Sequence, residues 1–250
     1  MPPQLLTSSR NIMLKNYKEH VEERLQEGIP PLPLNAEQVS ELVELLKAPP
    51  AGEEDFILDL ITNRTPAGVD PAAYVKAAFL TDVAKGATSS PLIDKQLATK
   101  LLGTMLGGYN VESLIGLLED DAVGGLAADG LSKTLLMFNA KHDVIELSKK
   151  NKNAKRVVDS WSDAEWFTNK PKLPEVIKAI VFRVEGEINT DDLSPAPDAP
   201  SRPDIPLHAL AMLKKTMDHP LEKIKKLKEL SLPIVFVGDV VGTGSSRKSA

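Results

Sequence analysis

Cysteine is absent from this sequence of 250 residues, and histidine occurs only four times. Without thiols the chain can form no disulfide and can supply no cysteine ligand to zinc or to an iron–sulfur cluster. The histidines, His20, His142, His208 and His219, are scattered without metal-ligand spacing, and we assign none of them a role. We therefore expect no metal site within this sequence.

Aromatic residues and long apolar runs are also scarce. Aromatics make up 4% of the chain, which favours helices packed through Leu, Ala and Val over an aromatic-rich β-sandwich. No apolar run approaches the roughly 18 residues of a membrane span, and the first residues lack the regions of a secretory signal. We expect a cytoplasmic protein without membrane contact, in which residues 1–12 are a disordered arm or a spurious upstream start.

The net charge of −5 is unevenly distributed along the chain. Residues 1–150 contain 14 basic and 21 acidic side chains, a net −7, whereas residues 201–250 contain 9 and 5, a net +4. The acidic first part disfavours nucleic acid as its ligand, because phosphate neutralisation dominates such binding. The basic end suits an anionic substrate, although Lys223, Lys225, Lys226 and Lys228 also fit the solvated face of an amphipathic helix.

The stretch from Leu14 to Ser160 repeats apolar residues at helical spacing and is punctuated by Pro pairs. It predicts about nine short helices and no strand, either as a bundle or as a HEAT-like stack of helix pairs. The predicted helices after the first are Ala36–Lys47, Asp55–Thr62, Ala72–Lys85, Pro91–Met105, Glu112–Leu118, Ala122–Phe138, Ala140–Lys150 and Lys152–Ser160.

The composition changes after residue 160, and we place the domain boundary there. We expect a helical domain over 13–160, a linker over 161–174 and an α/β domain over 175–250. The predicted order in the last part is a strand at Val176–Val184, a polar loop, helices at Pro206–Lys215 and Leu221–Leu230, and a strand at Pro233–Gly238. Ligands of such sheets sit at the carboxyl ends of the strands, where both predicted loops emerge.

A glycine-rich turn, Gly242–Arg247, follows the last predicted strand. Its glycines allow backbone amides to approach a ligand, and its hydroxyls and guanidinium are oriented donors, so the turn is suited to a carboxylate. A phosphate loop is an alternative because the segment resembles G-x-x-x-x-G-K-S, but Arg247 stands where that loop needs a second glycine. A plain linker is a further alternative.

The polar loop before it contains Asp191, Asp192 and Ser194, and Arg202 follows shortly after. The first three residues also fit a helix cap or an Asx turn. Arg202 precedes Pro203, so its backbone has little freedom to lose on binding a carboxylate, although it also fits a surface residue.

Several segments together resemble the bacterial aconitase B family. The α/β part resembles that family's swivel domain in the loop Asn189–Pro197, in Ser201–His208 and in Gly238–Ala250. The front resembles its N-terminal HEAT-like domain in Pro49–Glu54 and Leu102–Asn110. The resemblance extends from Met13 onward and implies an N-terminal fragment whose swivel domain is incomplete.

The resemblance implies a hydro-lyase of the tricarboxylic acid cycle that interconverts citrate and isocitrate through cis-aconitate. Dehydration of 2-methylisocitrate is an open second activity. It also implies a 4Fe–4S cluster, which this chain would not ligate, and remaining aconitase domains as partners. By resemblance Ser245 is the catalytic base, Ser246, Arg247 and Arg202 bind substrate together with Ser245, and Asp191, Ser194 and Gly244 support the site.

We expect this sequence alone to be inactive, because the cluster and the facing domains are not in it. The alternative is an interaction module without catalysis. In the resembled family the HEAT-like domain is associated with dimerisation and with partner or RNA recognition, and a helical stack could do this without a cluster.

Overall fold

The computed structural model of the chain describes residues 3–26, 31–105, 107–135, 137, 140–170, 172–201 and 208–244, without the side chains of 3–11 and 199–201. These residues are mainly helical and include a few short parallel strands near the end. The predicted fold class, an all-α part followed by an α/β part, is confirmed. The chain divides into two compact units, Met1–Met13 with Leu34–Pro171, and Leu14–Pro33 with Lys172–Ala250.

Ten helices precede the strands in the described part of the chain. They are α1 (Pro3–Gln26), α2 (Ala36–Lys47), α3 (Glu54–Asn63), α4 (Pro71–Lys85), α5 (Lys95–Gly103), α6 (Val111–Leu117), α7 (Gly124–Lys133), α8 (Ala140–Ser148), α9 (Lys152–Ser162) and α10 (Glu165–Thr168). Residues 3–12 are part of α1, and the disordered arm or spurious start expected over residues 1–12 stays a prediction. The short helix α10 likewise lies within the predicted linker, and the predicted domain boundaries stay predictions.

Polar caps fix where several of these helices begin and end. Asn35 and Gln38 form a reciprocal capping box at the start of α2. Asp70 accepts a hydrogen bond from Ala72 N at the start of α4, which has Pro71 as its first residue. Gly86 ends this helix in the left-handed conformation, φ 75°.

Asp94 explains why α5 starts later than predicted. Its side chain accepts a hydrogen bond from Leu97 N at 2.7 Å, so the helix begins at Lys95 and not at Pro91. Helix α7 begins at Gly124 and not at the predicted Ala122, because Asp120 Oδ1 accepts from the amides of Ala122 and Val123 in the turn before it. It ends at Lys133, and the predicted end, Phe138, lies outside the described residues.

The helices pack as a series of neighbours. Helix α2 contacts α3 and α4, α4 contacts α5, α5 contacts α7, and α7 contacts α9, which also packs on α8. The apolar stripes of these helices are fully buried, including Leu42, Leu46, Ile57, Leu60, Leu80, Leu102 and Leu114. Sequential pairing of this kind buries each apolar face on the next element, as in a helical stack.

Helices α5 and α7 approach each other closely at two glycines. A Cβ on Gly130 would lie 2.9 Å from Gly103 Cα, and one on Gly103 would lie 3.1 Å from Gly130 Cα. Backbone atoms thus occupy the space that a side chain would need, and the crossing depends on the absence of both side chains.

The described residues of the second unit form two pairs of parallel strands. Strand β1 (Ile180–Arg183) pairs with β3 (Ile234–Val237), and β2 (Glu187–Asn189) pairs with β4 (Val240–Thr243). The sequence between β2 and β3 contains α11 (Thr190–Leu193), two short 3₁₀ segments (Ala196–Ser201 and Ala209–Ala211) and α12 (Pro220–Lys228).

Two predicted elements of this unit were wrong in part. The first strand covers only the second half of Val176–Val184, since residues before Ile180 pair with no described strand. The helix predicted at Pro206–Lys215 lies partly outside the described residues, and from Ala209 onward it is a 3₁₀ segment and turns. Leu213 has φ 58°, and its amide donates to Asp192 O at 2.6 Å, a long-range bond that replaces a helical one.

The core of this unit is small. Among the described residues around the strands, one cluster of buried apolar side chains consists of Phe182, Val184, Ile188, Leu213 and Ile224. Phe182 packs edge-to-face on Phe236 across the β1–β3 pair, with ring centroids 5.4 Å apart. The core thus joins both strand pairs to α12 and to the turn at Leu213.

Candidate functional site

Strands β2 and β4 bring the two predicted loops together. They are parallel neighbours, with Asn189 opposite Thr243, so both chains leave the sheet at the same edge. One continues into α11 and the other into Gly244, which has φ 95°. A Cβ on Gly244 would lie 3.1 Å from Thr190 Oγ1. The predicted glycine-rich turn, whose first two residues belong to β4, therefore passes directly against the first residue of α11.

The start of α11 is held by a capping box. Asn189 Oδ1 accepts from the amides of Asp191 and Asp192, at 2.8 and 3.0 Å. Asp192 Oδ2 accepts from Asn189 N at 2.9 Å in return. The helix-cap interpretation that was left open for Asp192 is therefore right. Asp191 is exposed and lies at the same edge of the strands.

Ser194 is buried and contacts a histidine that the sequence did not indicate. Ser194 Oγ lies 3.2 Å from His208 Nδ1, and His208 Nε2 lies 2.8 Å from the carbonyl oxygen of Pro195. Because a carbonyl only accepts, Nε2 carries a proton, and in the neutral ring Nδ1 accepts from the Ser194 hydroxyl. A lone histidine 14 residues away has no spacing that would have revealed this contact.

An ion pair and a backbone bond fix the same loop further along. Asp198 is 5% exposed and pairs with Lys214. The bond from Leu213 N to Asp192 O adds a second connection between these two segments. Residues 192–198 are therefore tied to residues 208–214 by four contacts: Ser194 with His208, His208 with the carbonyl oxygen of Pro195, the backbone bond and the ion pair.

Four of the predicted site residues, Arg202, Ser245, Ser246 and Arg247, lie outside the described residues. Arg202 lies in sequence between the anchored Asp198 and His208, and Ser245 directly follows Gly244, the last described residue. Gly244, Asp191 and Ser194 are the predicted site residues that the structure places, all at the edge where β2 and β4 end or in the loop that follows.

The strand edge itself is fixed by close backbone packing. A Cβ on Gly238 would lie 2.8 Å from Ile188 Cδ1 and 3.1 Å from Gly186 O, so a side chain where the chain passes from β3 to β4 would require the buried Ile188 to shift. Asp239 then binds Gly186 twice, through Asp239 N to Gly186 O at 2.9 Å and Gly186 N to Asp239 Oδ2 at 3.1 Å. Thr243 donates its hydroxyl proton to Glu187 on the paired strand.

The described residues contain no group of three or more His, Asp or Glu that could hold a metal ion. None of the described helices is long and apolar enough to cross a lipid bilayer.

Comparison with known proteins identifies the class. Residues 16–167 match the family described as the Aconitate B N-terminal domain, and residues 179–250 match the Aconitate hydratase 2 N-terminus. The chain therefore belongs to the aconitate hydratase B family.

Individual relatives agree with this assignment. The chain is 60% identical to aconitate hydratase B of Pseudomonas aeruginosa and 57% identical to that of Escherichia coli, over 95% of this chain and 29% of each relative. It is 58% identical to the Synechocystis protein of the same name, over 95% of this chain and 28% of that relative. The chain thus spans less than a third of the length of the curated relatives that it matches.

Proposed function

We propose that this chain is an N-terminal part of an aconitate hydratase and forms one carboxylate-binding wall of its active site. The family membership supports the activity, and the adjacent carboxyl ends of β2 and β4 support the position of the wall. The substrates would be citrate, isocitrate and cis-aconitate, and 2-methylisocitrate stays an open second substrate. The remaining domains of the longer protein would close the site.

Under this proposal Ser245 is the group that removes and returns the proton beside a substrate carboxylate. A serine hydroxyl is a weak base at neutral pH, so its alkoxide needs stabilisation by backbone amides and by a nearby cation. Gly244, with φ 95°, begins a turn in which amides can face a ligand, and Arg247 supplies a cation two residues after Ser245. Ser246 supplies a further donor.

Arg202 would be the second guanidinium that holds a substrate carboxylate. Two bidentate arginine contacts orient a tricarboxylate, and holding it in one orientation supplies part of the rate acceleration. The segments on both sides of Arg202 are tied to each other through Asp198 with Lys214 and through Ser194 with His208. Asp191 and Ser194 would support this loop, as would Gly244 on the neighbouring strand.

The cofactor of the longer protein would be a 4Fe–4S cluster, which would supply the Lewis acid for the substrate hydroxyl. The residues of this chain do not fit a cysteine-ligated cluster, since the sequence contains no cysteine. Its thiolate ligands would come from outside this sequence, so we assign to this chain only binding, orientation and proton transfer. On its own the chain would therefore be inactive.

Replacing Ser245 in the longer protein tests the assigned base. Ser245→Ala should lower kcat by at least about a hundredfold, because a positioned acid or base contributes that much or more, while the cluster's visible spectrum persists. Ser40→Ala, at an exposed position on α2, is the matched control and should leave kcat unchanged. Retained turnover in Ser245→Ala would remove this residue from the base role.

Arg202→Lys tests the carboxylate clamp separately. Lysine keeps the charge but loses the bidentate fork, so KM for citrate should rise by about tenfold or more. An unchanged KM together with an unchanged kcat would place Arg202 outside the substrate site.

We also propose a cytoplasmic location and a homodimer formed through the helical part. Gel filtration of the 250-residue chain tests the dimer, and a monomer at all concentrations would oppose it. RNA recognition is the weaker alternative, because residues 1–150 carry a net charge of −7. A salt-dependent titration with RNA tests it, and saturable binding at physiological salt would favour it.

A further inference from the structure

An open cleft in the helical unit carries features that the aconitase reaction does not use. It lies between α4 and α6 and has a volume of about 350 Å³. Its walls are formed by Tyr74, Thr81 and Asp82 on one side and by Tyr109, Glu112 and Ser113 on the other. We call it the Tyr74–Tyr109 cleft.

The two tyrosines at the mouth of the cleft are exposed and in contact. Tyr74 is 60% exposed and Tyr109 is 41% exposed, and their rings meet edge-to-face with centroids 5.1 Å apart. Tyr109 Oη donates a long hydrogen bond, 3.5 Å, to the carbonyl oxygen of Val69. The side chain of Val69 is 75% exposed. Exposed aromatic clusters beside a concave surface are typical of interaction sites.

The backbone holds Tyr109 in this position. Gly108, with φ 83°, packs so tightly that a Cβ there would lie 2.5 Å from Gly68 O. The residue before Tyr109 is thus pressed against the loop that leads into α4, the helix of Tyr74. The ring pair is therefore formed before any partner arrives, which lowers the entropy cost of binding.

The floor of the cleft is small and its hydroxyls satisfy each other. Thr81 Oγ1 lies 2.6 Å from Ala77 O and 2.7 Å from Ser113 Oγ. A hydroxyl has one proton, so Thr81 donates to the carbonyl and receives the Ser113 proton. The floor offers no strong charge, and the chemical character of the cleft comes from its rim.

The rim is negative. Asp82 and Glu112 are exposed carboxylates, and no cation among the described residues pairs with either one. Among the described residues no Lys, Arg or His lines the cleft, although Lys85 on the same helix extends its Nζ toward Gly116 on α6. The two carboxylates and the two aromatic rings line the same cleft, and Glu112 is three residues after Tyr109. Such a lining would repel phosphate and attract a cation.

We propose that the Tyr74–Tyr109 cleft binds an arginine side chain presented by a partner protein. A planar guanidinium can stack on a tyrosine face and form paired hydrogen bonds with a carboxylate, which an ammonium cannot do. The carboxylates make RNA the disfavoured partner. This site is separate in residues and in chemistry from the carboxylate-binding wall, so either proposal can fail without the other.

The chain's three tyrosines allow a direct test. The probe is the peptide acetyl-Gly-Arg-Gly-Arg-Gly-amide, titrated into the 250-residue chain labelled with ¹³C in its tyrosine rings. The ring signals of Tyr74 and Tyr109 should shift in a saturable way, while Tyr17, which is 3% exposed, should stay unchanged. The same peptide with citrulline in place of arginine keeps the shape without the charge and should bind at least about tenfold more weakly.

Charge variants test the rim. Asp82→Asn with Glu112→Gln should weaken peptide binding at least about fivefold. Glu119→Gln with Asp121→Asn changes the net charge equally on exposed residues outside the cleft, and should leave the affinity within about twofold. Thermal melting followed by circular dichroism checks that both variants fold.

Four outcomes would overturn the proposal. They are unshifted Tyr74 and Tyr109 signals, equal binding of the citrulline peptide, equal weakening in both charge variants, and an RNA oligonucleotide that shifts the same signals with comparable affinity.

Discussion

The helical unit and the α/β unit of this chain bury their apolar residues to different extents. In the helical unit, leucines such as Leu42 and Leu80 have no exposed surface, and each helix packs on its neighbours. In the α/β unit, the strand valines Val181, Val235 and Val240 are 62%, 45% and 52% exposed. Parallel strands are usually covered on both faces, so these valines mark faces that nothing in the described residues covers.

The two units also differ in how their contacts are distributed along the sequence. Helix pairs in the first unit join consecutive or nearly consecutive elements. The second unit depends on long-range pairings, such as Ile180 with Ile234 and Glu187 with Val240. A fold held by local pairs forms faster, whereas long-range pairings must close large loops before they contribute stability.

The largest difference should appear between a buried leucine and an exposed valine. Leu42→Ala removes a fully buried side chain from α2 and should lower the free energy of unfolding by about 3 kcal/mol. Val235→Ala, on β3, should cost about 0.5 kcal/mol or less, because its side chain is already partly in water. Urea denaturation of both variants measures the two values. Equal losses would mean that the exposed strand face is covered in solution, and the comparison would fail.

A second effect, of about 2 kcal/mol, should follow from the glycine crossing in the helical unit. Gly130→Ala places a Cβ 2.9 Å from Gly103 Cα, so α5 and α7 must separate. Gly125→Ala on the same helix is the matched control, because nothing lies within 4 Å of its Cβ.

The control should be neutral or stabilising by about 0.5 kcal/mol, since alanine favours a helix over glycine. Thermal melting of both variants gives the comparison. A stabilised Gly130→Ala would show that the crossing has room to relax and that α5 and α7 do not depend on the two glycines.

The helical unit was predicted from the sequence better than the α/β unit, because its contacts are local and those of the α/β unit are long-range. Local periodicity and caps determine a helix, so α2 was predicted with its observed bounds. The turn at Leu213 was wrongly predicted as a helix. The bond from its amide to Asp192 O joins residues that are distant in sequence, and local periodicity does not reveal such a bond. His208 was missed in the same way, since its contact with Ser194 exists only after the chain folds back. The edge that joins Gly244 to Thr190 is formed by β2 and β4, two short strands that the sequence analysis did not predict, although the general rule that loops meet at the carboxyl ends of parallel strands holds there.

The buried ion pair of the α/β unit should give a smaller effect, of about 1 to 2 kcal/mol. Asp198→Asn leaves the partly buried Lys214 without its counter-charge, which destabilises the loop before Arg202. Adding Lys214→Met removes the unpaired charge and should recover at least half of the loss, because an isolated buried charge is the main cost. Chemical denaturation of the single and double variants measures this. A double variant less stable than Asp198→Asn would show that the pair does not account for the effect.

The smallest effect concerns the pH dependence of the hydrogen bond between Leu32 and His20 on α1. Leu32 N donates to His20 Nε2 at 2.9 Å, and Tyr17 Oη donates to Leu32 O at 2.7 Å. Burial lowers the pKa of His20 below 6.5, with a further lowering from Arg24 and an opposing rise from Glu23. The accepting nitrogen must be unprotonated, so this hydrogen bond requires the form of the ring without a proton on Nε2, and a lowered pKa favours the same form.

Because the pKa of His20 is lower in the folded state than in the unfolded state, its contribution to stability is complete above about pH 6.5. It declines as the pH falls below that value and is lost once the pH has passed the folded pKa. The change should stay below about 0.5 kcal/mol, because water around this partly exposed ring screens the charge. His20→Gln keeps an acceptor but does not titrate, so the stability difference between the two proteins should shift in favour of the variant between pH 7.5 and 5.5. A shift in favour of the histidine over that range would show that its protonated form is the one that stabilises the fold.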